Sequence, residues 1–376
     1  LIHGFAGIAV QWLTYFAIYG IIALSFNIEY GFTGIPNFGK VLFVAIGAYA
    51  AGVLAASLVI DAAAPLLHVT INASGVPPYC SGDASYVLGE AGSVLSPWFL
   101  AGVFLLAVLA AALAGAASSV VASFPALRLR EDFLAITLLA AGEIVRLVTW
   151  TSTWPVCGFN GINGIPGPFA WSSSSDLLYM LVALGFLALA YLYTDYATNS
   201  PWGRALKAVR DDEVAAEVYG YDIAKMRMQS LLVGSALAGI AGALLVFYSG
   251  NVNAGSYKPD LTFMVIAAVI LGGSANNLGA LVGAAIITSL DILMNPSAFQ
   301  ALGITLPGNV GNALVYLKYV ILGIVILAVL AFRPQGLLPE GPLRTPIVEK
   351  TREKLSRYLA KMSSGSSGEE ENQSTP

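Results

Sequence analysis

The 376-residue chain is 57% hydrophobic and only 11% charged, with a mean hydropathy of +0.75, which leaves too few charges to dress a water-soluble surface of this length. An ordinary soluble domain is excluded, and the expected class is all-α: a polytopic helical membrane protein with about eight to nine transmembrane or re-entrant helices. The formal charge of −4 says little, since its distribution matters more than its sum, and two cysteines are too few for a disulfide scaffold or a conventional structural zinc site; no nucleic-acid partner is expected.

Apolar blocks fall at residues 5–26, 41–60, 98–123, 133–151, 177–196, 229–249 and 314–332, each near the roughly twenty residues a bilayer requires. Residues 7–26 read as a first span, not a cleaved signal. Two shorter blocks, 261–273 and 278–294, lie before the last span. The first is too short to span upright, so the pair either crosses twice or forms a re-entrant hairpin. Between the first two spans, Glu29 to Lys40 is rich in glycine and contains Pro36. Such a run breaks a helix, and irregular backbone this close to lipid is tolerated where it is buried in protein or lines a wet cavity. Thr33 and Asn37 are its pathway candidates; the plain alternative is a turn.

Orientation follows from lysine and arginine in the loops. Placing 27–40, 124–132, 195–228 and the segment after 332 in the cytosol puts most of the basic residues inside, Lys40 among them, with the N-terminus outside. The loops Asp61 to Pro97 and Thr153 to Asp176 then face outward, and each carries one cysteine. Cys80 and Cys157 form either a disulfide that staples the two loops or two unpaired thiols. Asn72-Ala73-Ser74 is a glycosylation acceptor pattern. Glu143 and Arg146, three residues apart, share one helical face and can neutralise each other in the membrane. They are either a functional intramembrane pair or a structural pair near the outer end of their helix.

Residues 199–228 interrupt the apolar pattern. Ser200 can cap a helix whose first residue is Pro201. Leu206 and Val209 give it an apolar edge, while Arg204, Lys207 and Arg210 line the rest. Asp211 can cap a second short helix with Asp212 and Glu213 in its first turn, and Gly220 can end it. A passive connection has no need of about thirty residues of capped structure, so this region reads as a surface gripped by another protein. Farther on, small residues from Gly234 to Ala243 at spacings of four mark a face for close helix packing. Asp291 and Lys318 either snorkel to the interface or pair with each other. Residues 346–362 form an amphipathic pattern for the cytosolic leaflet or a partner, and 363–376 are polar and expected to be disordered. The expected organisation is a transmembrane domain over 1–340, with the coupling region at 199–228, and a cytosolic helix and tail over 341–376.

Several of these segments, in this order, also resemble a known family. Ala215, Ala216 and Gly220 stand at the spacing of the Glu-Ala-Ala, three residues, Gly signature of ATP-driven importer permeases, although Val214 occupies the Glu position and Glu213 is one place early. The glycine-rich turn followed by Gly47-Ala48-Tyr49, the run Leu127 to Leu138 with Gly142-Glu143-Ile144-Val145-Arg146, Ala238-Gly239-Ile240-Ala241-Gly242, Leu271-Gly272-Gly273 and Phe332-Arg333-Pro334-Gln335-Gly336-Leu337 resemble the LivM-type permease subunit of branched-chain amino acid ABC importers. Ser274-Ala275-Asn276-Asn277 departs from that pattern.

The resemblance implies a second, LivH-like permease, two cytosolic ATPase subunits and an extracytoplasmic solute-binding protein. It implies coupling to the ATPases through Arg204, Lys207, Arg210, Asp212, Glu213, Ala215, Ala216 and Gly220. It also implies passage of branched-chain or related amino acids, with no cofactor on this chain and ATP and Mg on the partner subunits. In keeping with a transport subunit, the sequence has no Walker-type run, its two histidines are isolated, and no acid, base and nucleophile cluster in the spans. The rival reading is an ATP-independent secondary transporter or channel, which would call for more intramembrane charge than Glu143, Arg146 and Asp291 supply.

Overall fold

The computed structural model describes residues 2–71, 76–128, 131–172, 174–296, 299, 308–333 and 335–341. A backbone in lipid must satisfy its own hydrogen bonds, and the described chain does so with helices almost throughout. They are α1 (Ile2–Phe26), α2 (Lys40–Leu66), α3 (Gly82–Val94), α4 (Pro97–Arg128), α5 (Glu131–Thr151), α6 (Ser175–Asn199), α7 (Pro201–Asp211), α8 (Glu213–Val218), α9 (Ile223–Ser249), α10 (Pro259–Gly272), α11 (Asn277–Leu293) and α12 (Gly308–Phe332). Among the described residues, seven stretches are long and apolar enough to cross a membrane, and α11 and α12 add shorter apolar segments. The chain is a multi-pass membrane protein.

Packing is set by small residues. The α9 stripe lets α2 and α4 close on it: a Cβ at Gly239 would collide with the Ala111 carbonyl oxygen of α4, and one at Gly242 with the Val44 carbonyl oxygen of α2. In lipid, where apolar burial alone gives helices little reason to associate, such close approach supplies the dispersion contact that holds them. Around this trio α1 packs against α6, α9 and α11. One end of the bundle carries α3 and a two-residue antiparallel ladder that pairs β1 (Ile162–Asn163) with β2 (Asn251–Val252). The other carries α7 and α8.

One expectation changes. With the turn before it, α10 belongs to a nineteen-residue stretch, Ala254–Gly272, which is long enough to cross. It starts beside the ladder and ends near α7, and α11 returns antiparallel to it through Gly272, Gly279 and Gly283. The continuous apolar run alone is too short, and the turn from Ala254 supplies the rest of the span. Of the settings open to residues 27–40, burial in protein, a wet cavity or a plain turn, the structure shows the first, with most of these residues buried. The described residues up to Pro339 form one compact unit. The amphipathic pattern at 346–362, the tail at 363–376 and the Asn72 acceptor pattern lie outside the described residues.

Candidate functional site

Gly31, Gly34 and Pro36 cannot prolong α1. The chain instead widens into a π-helical turn, Asn27–Phe32, and reverses at Gly34 with φ of +79°. Turns of this kind inside long helices often coincide with functional positions. Here the turn carries Glu29 into the bundle. Lys40, the first residue of α2, folds back against it, with Nζ 2.7 Å from Glu29 Oε1 and both side chains fully buried. Asn37 Nδ2 donates to the other carboxylate oxygen at 2.8 Å, and its own carbonyl oxygen accepts from Gly39 N at 3.1 Å. Lys40 is therefore not an inner-loop cation, as the loop pattern suggested. A carboxylate so buried requires a neutralising partner, and the glycine-rich reversal brings Lys40 within reach.

Thr33 Oγ1 donates to Ile28 O at 3.0 Å and lies 2.7 Å from Ser230 Oγ on α9. Thr33 and Asn37 are thus both packed inside protein, with their polar atoms bonded there. Asn27 Nδ2 donates to Asn277 Oδ1 at 3.1 Å, Asn277 Nδ2 to Thr198 Oγ1 at 2.9 Å, and Ala275 N to Asn27 Oδ1 at 2.9 Å. The end of α1, the end of α6 and the α10–α11 turn are tied at one joint. The stretch Ser274 to Asn277 supplies Ala275 N and the Asn277 side chain to it.

Onto this joint α7 is laid. Ser200 Oγ accepts from Trp202 N at 3.2 Å and Pro201 opens the helix, while Leu206 and Val209 are buried. Asp212 caps α8, accepting from Ala215 N at 3.0 Å; Asp211 closes α7 and pairs with Arg210 at 2.8 Å. The cap lies one residue later than the sequence suggested, because α7 keeps Asp211 in its last turn. Gly220, at φ of +87°, follows α8. Glu213 forms an ion pair with Arg227 of α9. Arg210 Nη1 donates to Gly31 O at 2.7 Å, and Lys207 Nζ sits 5.1 Å over the Phe32 ring. Phe32, Leu206 and Ala275 make a small apolar cluster flanked by Trp202 and Met226. Arg204 is exposed, as are Val214, Val218 and Tyr219 of the α8 region; Ala215 is half-buried and Ala216 buried. The α7–α8 pair thus grips the broken end of α1 on one side and offers a partly apolar surface on the other.

Glu143 and Arg146 stand apart on α5. Arg146 Nε donates to Glu143 Oε2 at 2.8 Å, and a second bond joins Nη2 to Oε1. At the ladder end Cys80 and Cys157 are joined as a disulfide, with Cα atoms 5.2 Å apart. Nearby, the Tyr79 hydroxyl donates to Pro155 O at 2.8 Å, and burial raises the Tyr79 pKa. Asp291 and Lys318 meet at 2.6 Å. Among the described residues, no three His, Cys, Asp or Glu side chains cluster in a way that could hold a metal.

Asn27, Glu29, Lys40, Thr198, Ser230 and Asn277 are absent from the site candidates that the sequence offers. The available signal was a pair of opposite charges flanking a helix-breaking turn between two apolar spans.

Comparison with known proteins places these features in a family. Residues 8–330 match the family described as branched-chain amino acid transport system, permease component. The chain is 32% identical over 346 residues to a probable branched-chain amino acid transport permease protein LivM of Methanocaldococcus jannaschii, covering 90% of this chain and 95% of that one. It is 28% identical over 255 residues to the high-affinity branched-chain amino acid transport system permease protein LivM of Escherichia coli, covering 61% of this chain and 56% of that one. A probable LivH permease of M. jannaschii is 25% identical over 325 residues, covering 84% and 87%. No solved structure matches the chain.

Proposed function

This chain belongs to the branched-chain amino acid transport permease family, and we propose that its α7–α8 pair is the surface through which partner ATPases drive it. It is a permease subunit of an ABC importer, not an enzyme. In our reading it works beside a LivH-like permease, with two cytosolic ATPase subunits and an extracytoplasmic solute-binding protein, and branched-chain or related amino acids pass between the two permeases. The side bearing α7 and α8 is cytosolic, the ladder side faces outward, and the described chain starts outside and ends inside. ATP and Mg reside on the partner subunits.

The observation that carries this reading is the two-sided geometry of α7–α8. Its outer face exposes Arg204, Val214, Val218 and Tyr219, and exposed apolar side chains among charges suit a protein partner. Its inner face bears on the π-helical turn through Arg210 and Lys207. Motion of the ATPases would press α7 against the end of α1, and the Asn27–Asn277–Thr198 joint would carry the displacement to α6, α10 and α11. Such transmission needs a stiff link, and a fully bonded buried network supplies one.

The test is gentle detergent extraction followed by mass spectrometry of the copurifying chains. A pair of Walker-containing ATPases and a second permease are expected. Recovery of this chain alone, under conditions that keep other ABC complexes whole, would refute the assignment.

A further inference from the structure

The second charged pair on a span has a setting opposite to that of Glu29 and Lys40. Glu143 lies next to the midpoint of the nineteen-residue span Phe133–Thr151, and Arg146 lies one turn beyond it. Of the seven long spans, this one is the least covered by the rest of the chain. Phe133, Ile136, Ile144, Leu147 and Val148 are exposed along it. The Glu143 side chain keeps 37% of its accessible surface and Arg146 keeps 19%, whereas Glu29 and Lys40 keep none. A partly exposed carboxylate and guanidinium near mid-depth on a sparsely covered span are costly in hydrocarbon, even when paired. Something polar must therefore cover this face.

The pair also fastens nothing within the chain. Both partners belong to α5, so their bond closes no contact between helices. Its local shape is nonetheless well defined: Arg146 presents a planar two-pronged donor set to Glu143, and its guanidinium carbon sits 5.9 Å from the Trp150 ring centroid. A guanidinium fork matches a carboxylate in two parallel hydrogen bonds. A zwitterionic amino acid carries such a carboxylate with an ammonium one carbon away, which is the charge complement of an adjacent Arg and Glu. The neighbouring Leu147 and Ile144 offer an apolar wall for an aliphatic side chain.

We propose that the α5 face bearing Glu143, Arg146 and Trp150 is a mid-membrane station for a zwitterionic amino acid, at the surface where the second permease closes over this chain. Arg146 takes the α-carboxylate and Glu143 the α-ammonium. The internal pair holds both charges neutral when the station is empty. This rests on the permease reading above.

The test uses the complete importer reconstituted in proteoliposomes with its solute-binding protein. Both native cysteines of this chain are in the disulfide, so Leu147→Cys introduces its one free thiol while leaving the pair intact. The expected result is modification of that introduced thiol by a water-soluble cationic methanethiosulfonate, quantified on this chain by mass spectrometry, and at least about fivefold slower modification during turnover with saturating leucine. Arg146→Gln is expected to lower leucine transported per ATP hydrolysed at least about tenfold with the subunits still assembled, and Arg146→Lys to restore part of it. An unreactive thiol, or a reactive one that leucine does not protect, overturns the station. So does full transport by Arg146→Gln. Loss of the second permease from that variant would assign the pair to subunit contact and likewise overturn the proposal. Failure to recover ATPases with the wild-type chain would strike the permease reading itself, a separate result.

Discussion

Replacing Lys40 by methionine removes one buried charge and nearly nothing else. Methionine keeps most of the aliphatic volume, so the perturbation is confined to the ammonium that sits 2.7 Å from Glu29 Oε1. The carboxylate is left with Asn37 as its remaining side-chain donor, in a site with no solvent access. Breaking a fully buried pair by removing one partner costs about 3–5 kcal/mol, or roughly a hundredfold to several thousandfold in the unfolding equilibrium. Neutralising both partners, as in Glu29→Gln with Lys40→Met, removes the stranded charge and keeps an acceptor for Asn37. The double variant should therefore recover about 2 kcal/mol or more relative to Lys40→Met. Reversible unfolding by SDS titration in mixed micelles, run as a double-mutant cycle, measures both numbers. If Lys40→Met costs under about 1 kcal/mol, or if the double variant is as unstable as the two single losses combined, the pair is not the buried, mutually dependent unit described here.

Three other outcomes follow from the packing. A Cβ at Gly234 would collide with the Glu29 carboxylate, so Gly234→Ala should cost about 1–3 kcal/mol; the same titration checks it, and a neutral result would mean that α9 does not press on the ion pair. The disulfide joins residues 77 apart, and closing so long a loop in the unfolded chain is worth about 4.5 kcal/mol in the chain-entropy treatment. Cys80→Ser should then lower the thermal midpoint markedly and raise proteolysis of the α3 loop. Asp212→Ala removes the α8 cap at Ala215 N and should cost about 1 kcal/mol locally, seen as faster amide exchange at residues 213–216 with little change in α9.

The features legible in the sequence were those set by nearby residues. Ser200 and Pro201 announce α7 because capping involves only the next few backbone donors. Glu143 and Arg146 can be paired from their spacing because one helical turn brings them together. The family was legible because several segments occur in the right order. By contrast, Lys40 looks like a loop cation until the chain reverses at Gly34 and places it against Glu29, a meeting that depends on tertiary folding. Asn277 opens α11, and its role appears only when α1 and α6 arrive beside it. The extra reach of α10 comes from Ala254 to Lys258, whose polar and glycine residues dilute the apolar signal. The exposed Val218 and Tyr219 on the outer side of α8 gave no pattern of their own in so short a helix.

In the proposed function, motion imposed on α7 and α8 by ATP-driven partners moves solute through this chain and its companion permease. The most direct measurement is leucine uptake into proteoliposomes holding the extracted complex, energised in turn by ATP at the cytosolic face and by imposed proton or sodium gradients. The wild-type complex should accumulate leucine with ATP alone, and Arg204→Glu with Lys207→Glu should abolish that uptake while the chain remains inserted. Uptake driven by an ion gradient without ATP, or undiminished ATP-driven uptake in the charge-reversed variant, would contradict the account.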